Sequence, residues 1–139
     1  MKLLIIFLVC CSSCCLAKLD QQQLETFSGV TKACFEELQI PAGWEFPTQA
    51  LQDVKSITFS DRHIDFIVCA TRKYNVLDEE GRYNAQLVKE IFLKSNTFDR
   101  QQVDEVVDLC YGDPKGTTLK ENVAEATKCF FANKKFKLM

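Results

Sequence analysis

The number and spacing of its cysteines constrain the fold of this chain most. How many cysteines the mature protein keeps depends on whether an N-terminal leader is cleaved. The sequence opens with MKLLIIFLVCCSSCCLAKLD, in which Lys2 precedes an apolar run over 3–11. That run is too short to span a bilayer, and the tripeptide CLA that follows has the small-x-small pattern of a cleavage site. We therefore expect residues 1–17 to be a secretory signal peptide, with a membrane anchor as the alternative. Residues 18–139 would then form one domain.

Cleavage would leave four cysteines: Cys34, Cys69, Cys110 and Cys129, separated by 34, 40 and 18 residues. Zinc sites use closely spaced ligand pairs, and a catalytic thiol needs a base, whereas the chain has a single histidine, His63. An even number of cysteines in a secreted chain favours disulfides. We predict two disulfides, no metal site and no catalytic residue. Several pairings satisfy this prediction, and the sequence alone does not choose between them.

Apolar residues recur at helical intervals along the rest of the chain, with breaks at proline and glycine. Helices this short are marginal in isolation, so their stability must come from packing and cross-links. The sequence predicts an all-α domain of six short helices. They are expected over 19–38, over 47–56, after Ser60 as an N-cap, across 87–92, from near Asp99, and from Thr117 or Thr118.

The cysteine spacing, the helical pattern and the leader together resemble the insect odorant-binding protein family, of the pheromone-binding and general odorant-binding type. That family usually has six cysteines, and the four here match its first, third, fourth and sixth. The missing second and fifth fall at Asp65 and Lys120, as in the four-cysteine Minus-C subgroup. The stretch NVLDEEGRYNAQ is also similar to the family's connection between its third and fourth helices. The resemblance covers essentially all of 18–139.

The resemblance implies the pairing Cys34–Cys69 and Cys110–Cys129, and six helices that enclose an internal apolar cavity. It also implies a secreted carrier of a small apolar ligand (an odorant, a pheromone or a similar semiochemical) that is delivered to a membrane receptor. Ordinary core packing is the alternative explanation for most of the phenylalanines. On the apolar stripes of the predicted helices, we expect the ligand-binding residues to be Phe66, Ile67, Leu87, Ile91, Val106, Val123, Phe130 and Phe136.

Three further features have two interpretations each. Asp65 and Lys120 either form an ion pair or point separately into solvent, and we expect the second. His63 is either a pH trigger for release or an exposed residue in the first turn of a helix, and we expect exposure. The tail FFANKKFKLM either frays or folds into the cavity, with Phe136 and Leu138 as plugs.

Composition and motifs exclude several classes of function. The chain has 19 acidic and 17 basic residues, and a mildly acidic chain argues against a nucleic-acid partner. It lacks a nucleophile elbow and a phosphate-binding glycine loop, so we expect neither an enzyme nor a cofactor. Beyond the leader, no segment is apolar for long enough to insert stably in a membrane. We expect a monomer or a weak homodimer.

Two alternative functions remain open at this stage. A salivary or haemolymph scavenger of amine or lipid mediators would share the fold and differ in its ligand. A small helical cytokine-like signal would need longer helices than the breaks at Pro41, Pro47, Gly81 and Pro114 permit.

Overall fold

The computed structural model describes residues 19–41, 43–44, 59–114 and 116–136. Within these ranges the chain is helical, with one isolated antiparallel bridge between Leu77 and Tyr83. The helix predicted over 47–56, the predicted signal peptide and Leu138 lie outside the described residues. The five helices that are described correspond to the other five predictions: α1 (Gln21–Glu37), α2 (Asp61–Lys73), α3 (Ala85–Leu93), α4 (Arg100–Cys110) and α5 (Leu119–Asn133). None of them has the length and apolar character needed to cross a bilayer.

A polar side chain caps the start of each described helix. Asp20, Ser60, Asn84, Asp99 and Thr118 each accept a hydrogen bond from the backbone N–H three residues later. In α1, α2 and α5 the third helical residue returns the bond, which completes a capping box. Each cap contributes about 1 kcal/mol to helix stability. The starts predicted at Ser60 and near Asp99 are confirmed, and Thr118 is the cap of the last helix.

The helices pack as a series of neighbours: α1 on α2, α2 on α5, and α4 on both α5 and α3. A small buried cluster lies between α1 and α2 around Cys34 and Phe66, and another joins α2 to α5 through Ile64 and Val123. The largest cluster, which we call the main core, is made of Val76, Val88, Phe98, Val103, Val106, Val107, Cys110, Phe130 and Phe136.

Two disulfides join helices that are already neighbours. Cys34–Cys69 ties α1 to α2 across a Cα separation of 5.9 Å, and Cys110–Cys129 ties α4 to α5 across 5.4 Å. The two predicted disulfides, and the pairing that the resemblance implied, are confirmed. Loss of a native disulfide from a small secreted domain costs about 2–5 kcal/mol, so both bridges are major contributions to stability.

The loop between α2 and α3 packs against the start of α5 at Gly81. This glycine has a φ of 84°, a conformation that residues with a Cβ rarely adopt. A Cβ at this position would also lie 2.8 Å from the Cα of Leu119. The turn therefore requires glycine for two reasons, its backbone conformation and its closeness to α5.

Candidate ligand-binding site

A row of aromatic side chains begins at Trp44, beside the α1–α2 cluster. The ring of Trp44 lies 5.6 Å from that of Phe35 and 6.0 Å from that of Phe66, measured between centroids. It also lies 5.3 Å from the imidazole of His63, which in turn lies 6.2 Å from the ring of Phe59. Phe66 is buried, whereas the other four rings are only partly buried.

The row continues from α2 to α5 and ends in the main core. Phe59 lies 5.9 Å from Phe131, and Phe131 lies 5.3 Å from Phe130. Phe130 is buried, and it stacks on Phe92 of α3 at 5.7 Å. We call Phe35, Trp44, Phe66, His63, Phe59, Phe131 and Phe130 the aromatic row. Its partly exposed members give it a surface on which an apolar molecule can pack, the kind of lining that small-molecule sites use.

The segment that follows α5 folds back into the main core at Phe136. Phe136 is only 4% exposed, and its ring lies 5.1 Å from Phe98 and 5.9 Å from Phe92. Its carbonyl oxygen accepts a hydrogen bond of 2.9 Å from Nζ of Lys134, which is itself buried. As far as Phe136, the interpretation of the tail as a frayed terminus is wrong.

The structure distributes the eight predicted lining residues over three clusters. Phe66 is buried in the α1–α2 cluster, Val123 is buried between α2 and α5, and Ile67 packs against both of these clusters. The other five lie in the main core or pack against it: Leu87, Ile91, Val106, Phe130 and Phe136. The aromatic row runs from the α1–α2 cluster to the main core, with Phe66 near one end and Phe130 at the other.

Trp44, Phe59 and Phe131 were not among the eight predicted lining residues. Two signals were available: Trp44 is the only tryptophan, and His63 and Phe66 are one helical turn apart, so their side chains lie on one face of α2. The contact of Trp44 with that face could not be read from the sequence, because it depends on how the loop after α1 returns to α2.

His63 both caps α2 and belongs to the row. Its Nδ1 accepts a hydrogen bond of 2.9 Å from the backbone N–H of Ser60, and the Ser60 hydroxyl accepts one of 3.3 Å from the N–H of His63. Burial beside Trp44 and Phe59 lowers the pKa of His63 below its usual 6.5, because it disfavours the charged imidazolium. His63, expected to be exposed, is partly buried, and its role as a pH trigger stays a prediction.

Comparison with known proteins agrees with this arrangement. The chain matches the family model described as the PBP/GOBP family over residues 16–133. It belongs to the PBP/GOBP family of odorant-binding proteins. Members of this family are secreted binding proteins and not enzymes, and the two disulfides fit an extracellular location. No curated protein and no solved structure matches the chain significantly.

Asp65 and Lys120, the two positions to which the resemblance assigned the missing cysteines, form an ion pair. Nζ of Lys120 lies 2.6 Å from Oδ1 of Asp65, and the side chains are 58% and 40% exposed. The pair joins α5 to α2, so the expectation that the two side chains point separately into solvent was wrong. An exposed pair of this kind contributes about 0–1 kcal/mol, much less than a disulfide.

A small cavity lies between Tyr83 and Tyr111, beside the first turns of α5. The two rings are 4.7 Å apart, and burial raises the pKa of both hydroxyl groups above the usual value of 10.0. The cavity has a volume of about 10 Å³ and is also bordered by Asn122. It is large enough for one water molecule and too small for an organic ligand.

The described residues hold no group of three or more His, Cys, Asp or Glu side chains arranged as metal ligands. The aromatic row itself consists of phenyl, indole and imidazole rings, so it offers apolar packing, and the imidazole of His63 is the one titratable group among its members.

Proposed function

We propose that this protein binds one small, largely apolar molecule in an internal cavity and carries it through an aqueous secretion. The ligand class is an odorant, a pheromone or a similar semiochemical, and the context is delivery to a membrane receptor. Membership of the PBP/GOBP family supports the carrier role. The observation that carries the proposal is the partly exposed aromatic row that connects the α1–α2 cluster with the main core.

Binding would be driven by the transfer of apolar ligand surface from water to this row. Each Å² of apolar surface removed from water contributes about 25 cal/mol, and aromatic rings present large, rigid faces for that purpose. We place the ligand against Trp44, Phe59 and Phe131. The predicted lining residues Phe66, Ile67, Leu87, Ile91, Val106, Val123, Phe130 and Phe136 would form the surrounding wall.

We also propose that the protein belongs to the four-cysteine Minus-C subgroup. The pairing of Cys34 with Cys69 and of Cys110 with Cys129, which together are all the cysteines in the described residues, supports this assignment.

The test uses the refolded, oxidised chain from 18 to 139 and an apolar fluorescent probe, N-phenyl-1-naphthylamine. We expect uptake at micromolar concentration and displacement by a panel of volatiles and lipids. Because Trp44 is the only tryptophan, its emission should change as ligand binds. Absence of both probe uptake and any change in Trp44 emission would overturn the proposal.

Matched variants locate the site. Phe131→Ala removes a ring from the row and should weaken probe binding, whereas Leu109→Ala changes a residue that is 53% exposed on α4 and should not. Circular dichroism checks that both variants keep their helices. Equal affinities in two folded variants would place the ligand away from the row.

A scavenger of amine or lipid mediators would share this fold, and tissue expression separates the two functions. Transcripts in antennae support the semiochemical carrier, and transcripts confined to salivary gland or haemolymph-producing tissue support the scavenger.

A further inference from the structure

A second concave surface lies outside the aromatic row, where the end of α1, the outer face of α2 and the start of α5 meet. It is a groove with a volume of about 410 Å³, within the range of small-molecule sites. None of its lining residues belongs to the aromatic row. Helix α2 presents Phe66 to the row and Val68 and Arg72 to the groove, so the two surfaces are on different faces of one helix.

The groove includes apolar side chains from three elements. Leu38, just after α1, is 37% exposed, which is unusual for a large apolar residue in the described part of this chain. Val68 of α2 and Leu119 of α5 are partly buried beside it. Together they offer an apolar strip to a molecule that enters the groove.

The charges around this strip leave a positive excess. Glu37 pairs with Lys73 at 2.8 Å and Asp65 pairs with Lys120 at 2.6 Å, so these four groups neutralise one another. Arg72 also lines the groove, is exposed, and forms no ion pair with any residue that the structure describes.

We propose that this groove binds a free single-chain carboxylate amphiphile of the fatty-acid type. The hydrocarbon chain of this ligand lies along Leu38, Val68 and Leu119, and its carboxylate accepts two hydrogen bonds from the guanidinium of Arg72. An arginine suits this task because its planar donors match a carboxylate in a bidentate geometry. Charged side chains border the apolar strip, and the volume of about 410 Å³ is that of a site for one small molecule.

The test is a methyl NMR titration of the oxidised chain from 18 to 139 with dodecanoate below its micellar concentration. We expect the methyl signals of Leu38, Val68 and Leu119 to shift. Arg72→Gln should weaken this binding roughly tenfold, as expected for the loss of a hydrogen-bonded charge pair. Arg62→Gln is the matched control, because Arg62 is an exposed arginine of the same helix that does not line the groove.

Two further ligands test whether the shifts of the groove methyl signals require a free carboxylate amphiphile. Dodecanol, which lacks the carboxylate, should leave the groove methyls unchanged at the same concentration. Phosphatidylglycerol vesicles should not shift them either. The inference is overturned if dodecanoate leaves the groove methyls unmoved, if Arg72→Gln and Arg62→Gln bind it equally, if dodecanol shifts them as strongly, or if only vesicles do so.

The result of the groove-binding test does not depend on whether the proposed carrier function is correct. Binding at the aromatic row is read from Trp44 emission, and Trp44 is not part of the groove. Loss of groove binding with normal probe uptake would reject this inference alone, and the reverse would reject the carrier proposal alone.

Discussion

The indole of Trp44 packs against the imidazole of His63 with 5.3 Å between the ring centroids. These are the only tryptophan and the only histidine of the chain, so the protein contains a natural fluorescent reporter beside its one imidazole. The same imidazole accepts the hydrogen bond from the Ser60 backbone N–H that completes the capping box of α2. Protonation of His63 therefore affects both the environment of the indole and the start of the helix.

The first prediction concerns pH. The pKa of His63 is lowered in the folded state, so the unfolded chain takes up the proton more readily as pH falls through about 6.5. The stability contributed by the neutral imidazole is therefore present above pH 6.5 and decreases as pH falls towards the folded-state pKa. We expect the urea midpoint to fall between pH 7.5 and pH 5.

His63→Gln is the control for this prediction. A glutamine at the third helical position can still accept from Ser60 in a capping box, and it does not titrate. The wild type should lose more stability than the variant over the same pH interval, since all carboxylates are common to both. Parallel pH profiles would show that the imidazole is not linked to folding.

The second prediction concerns the C-terminal segment. Phe136→Ala removes a ring that is 4% exposed and contacts the rings of Phe92, Phe98 and Phe130. Truncation of a buried phenylalanine costs about 3 kcal/mol, so thermal unfolding should shift to lower temperature by many degrees. Leu109→Ala, at an exposed position, should change stability by about 0.5 kcal/mol or less. Equal melting temperatures for the two variants would mean that the segment is frayed in solution.

The third prediction compares two glycines. Gly81→Ala should destabilise the fold by about 1–3 kcal/mol, because it adds a Cβ at positive φ and against Leu119. Gly29 lies inside α1, where an added Cβ would meet no atom within 4 Å, so Gly29→Ala should stabilise by about 0.5–1 kcal/mol through helix propensity. Chemical denaturation of both variants measures the change in the free energy of unfolding, which should have opposite signs. A stabilising Gly81→Ala would contradict the packing of this loop on α5.

The fourth prediction concerns Asp65 and Lys120. A double-mutant cycle with Asp65→Asn and Lys120→Gln should give a coupling free energy of about 0.2–1 kcal/mol. It should decrease when the ionic strength is raised to about 0.5 M, since salt screens exposed charges. A coupling that is zero at low salt would mean that the contact between α2 and α5 at this point has no energetic role.

Local signals in the sequence predicted much of the helical framework. The caps at Ser60 and Asp99 were readable because a polar acceptor directly precedes a run with helical periodicity. The disulfide pairing was not determined by spacing, and only the resemblance to a family supplied it. The apolar stripes correctly placed Val106, Val123 and Phe130 in the interior.

The errors concern contacts between elements that are distant in the sequence. His63 and Asp65 look exposed when α2 is considered alone. In the structure, Trp44 from the loop after α1 packs against His63, and Lys120 at the start of α5 pairs with Asp65. A periodic pattern gives the inward face of a helix but not the neighbour that covers it. The aromatic row was missed for the same reason, because its members come from four separate parts of the chain.

The two disulfides join two different pairs of helices and leave the contact between these pairs without a covalent cross-link. One disulfide joins α1 to α2 and the other joins α4 to α5. Helices α2 and α5 contact each other through packed side chains and the exposed Asp65–Lys120 ion pair. The aromatic row crosses this seam between Phe59 and Phe131. Loss of the α2–α5 contact would therefore separate Phe59 from Phe131 without breaking either disulfide.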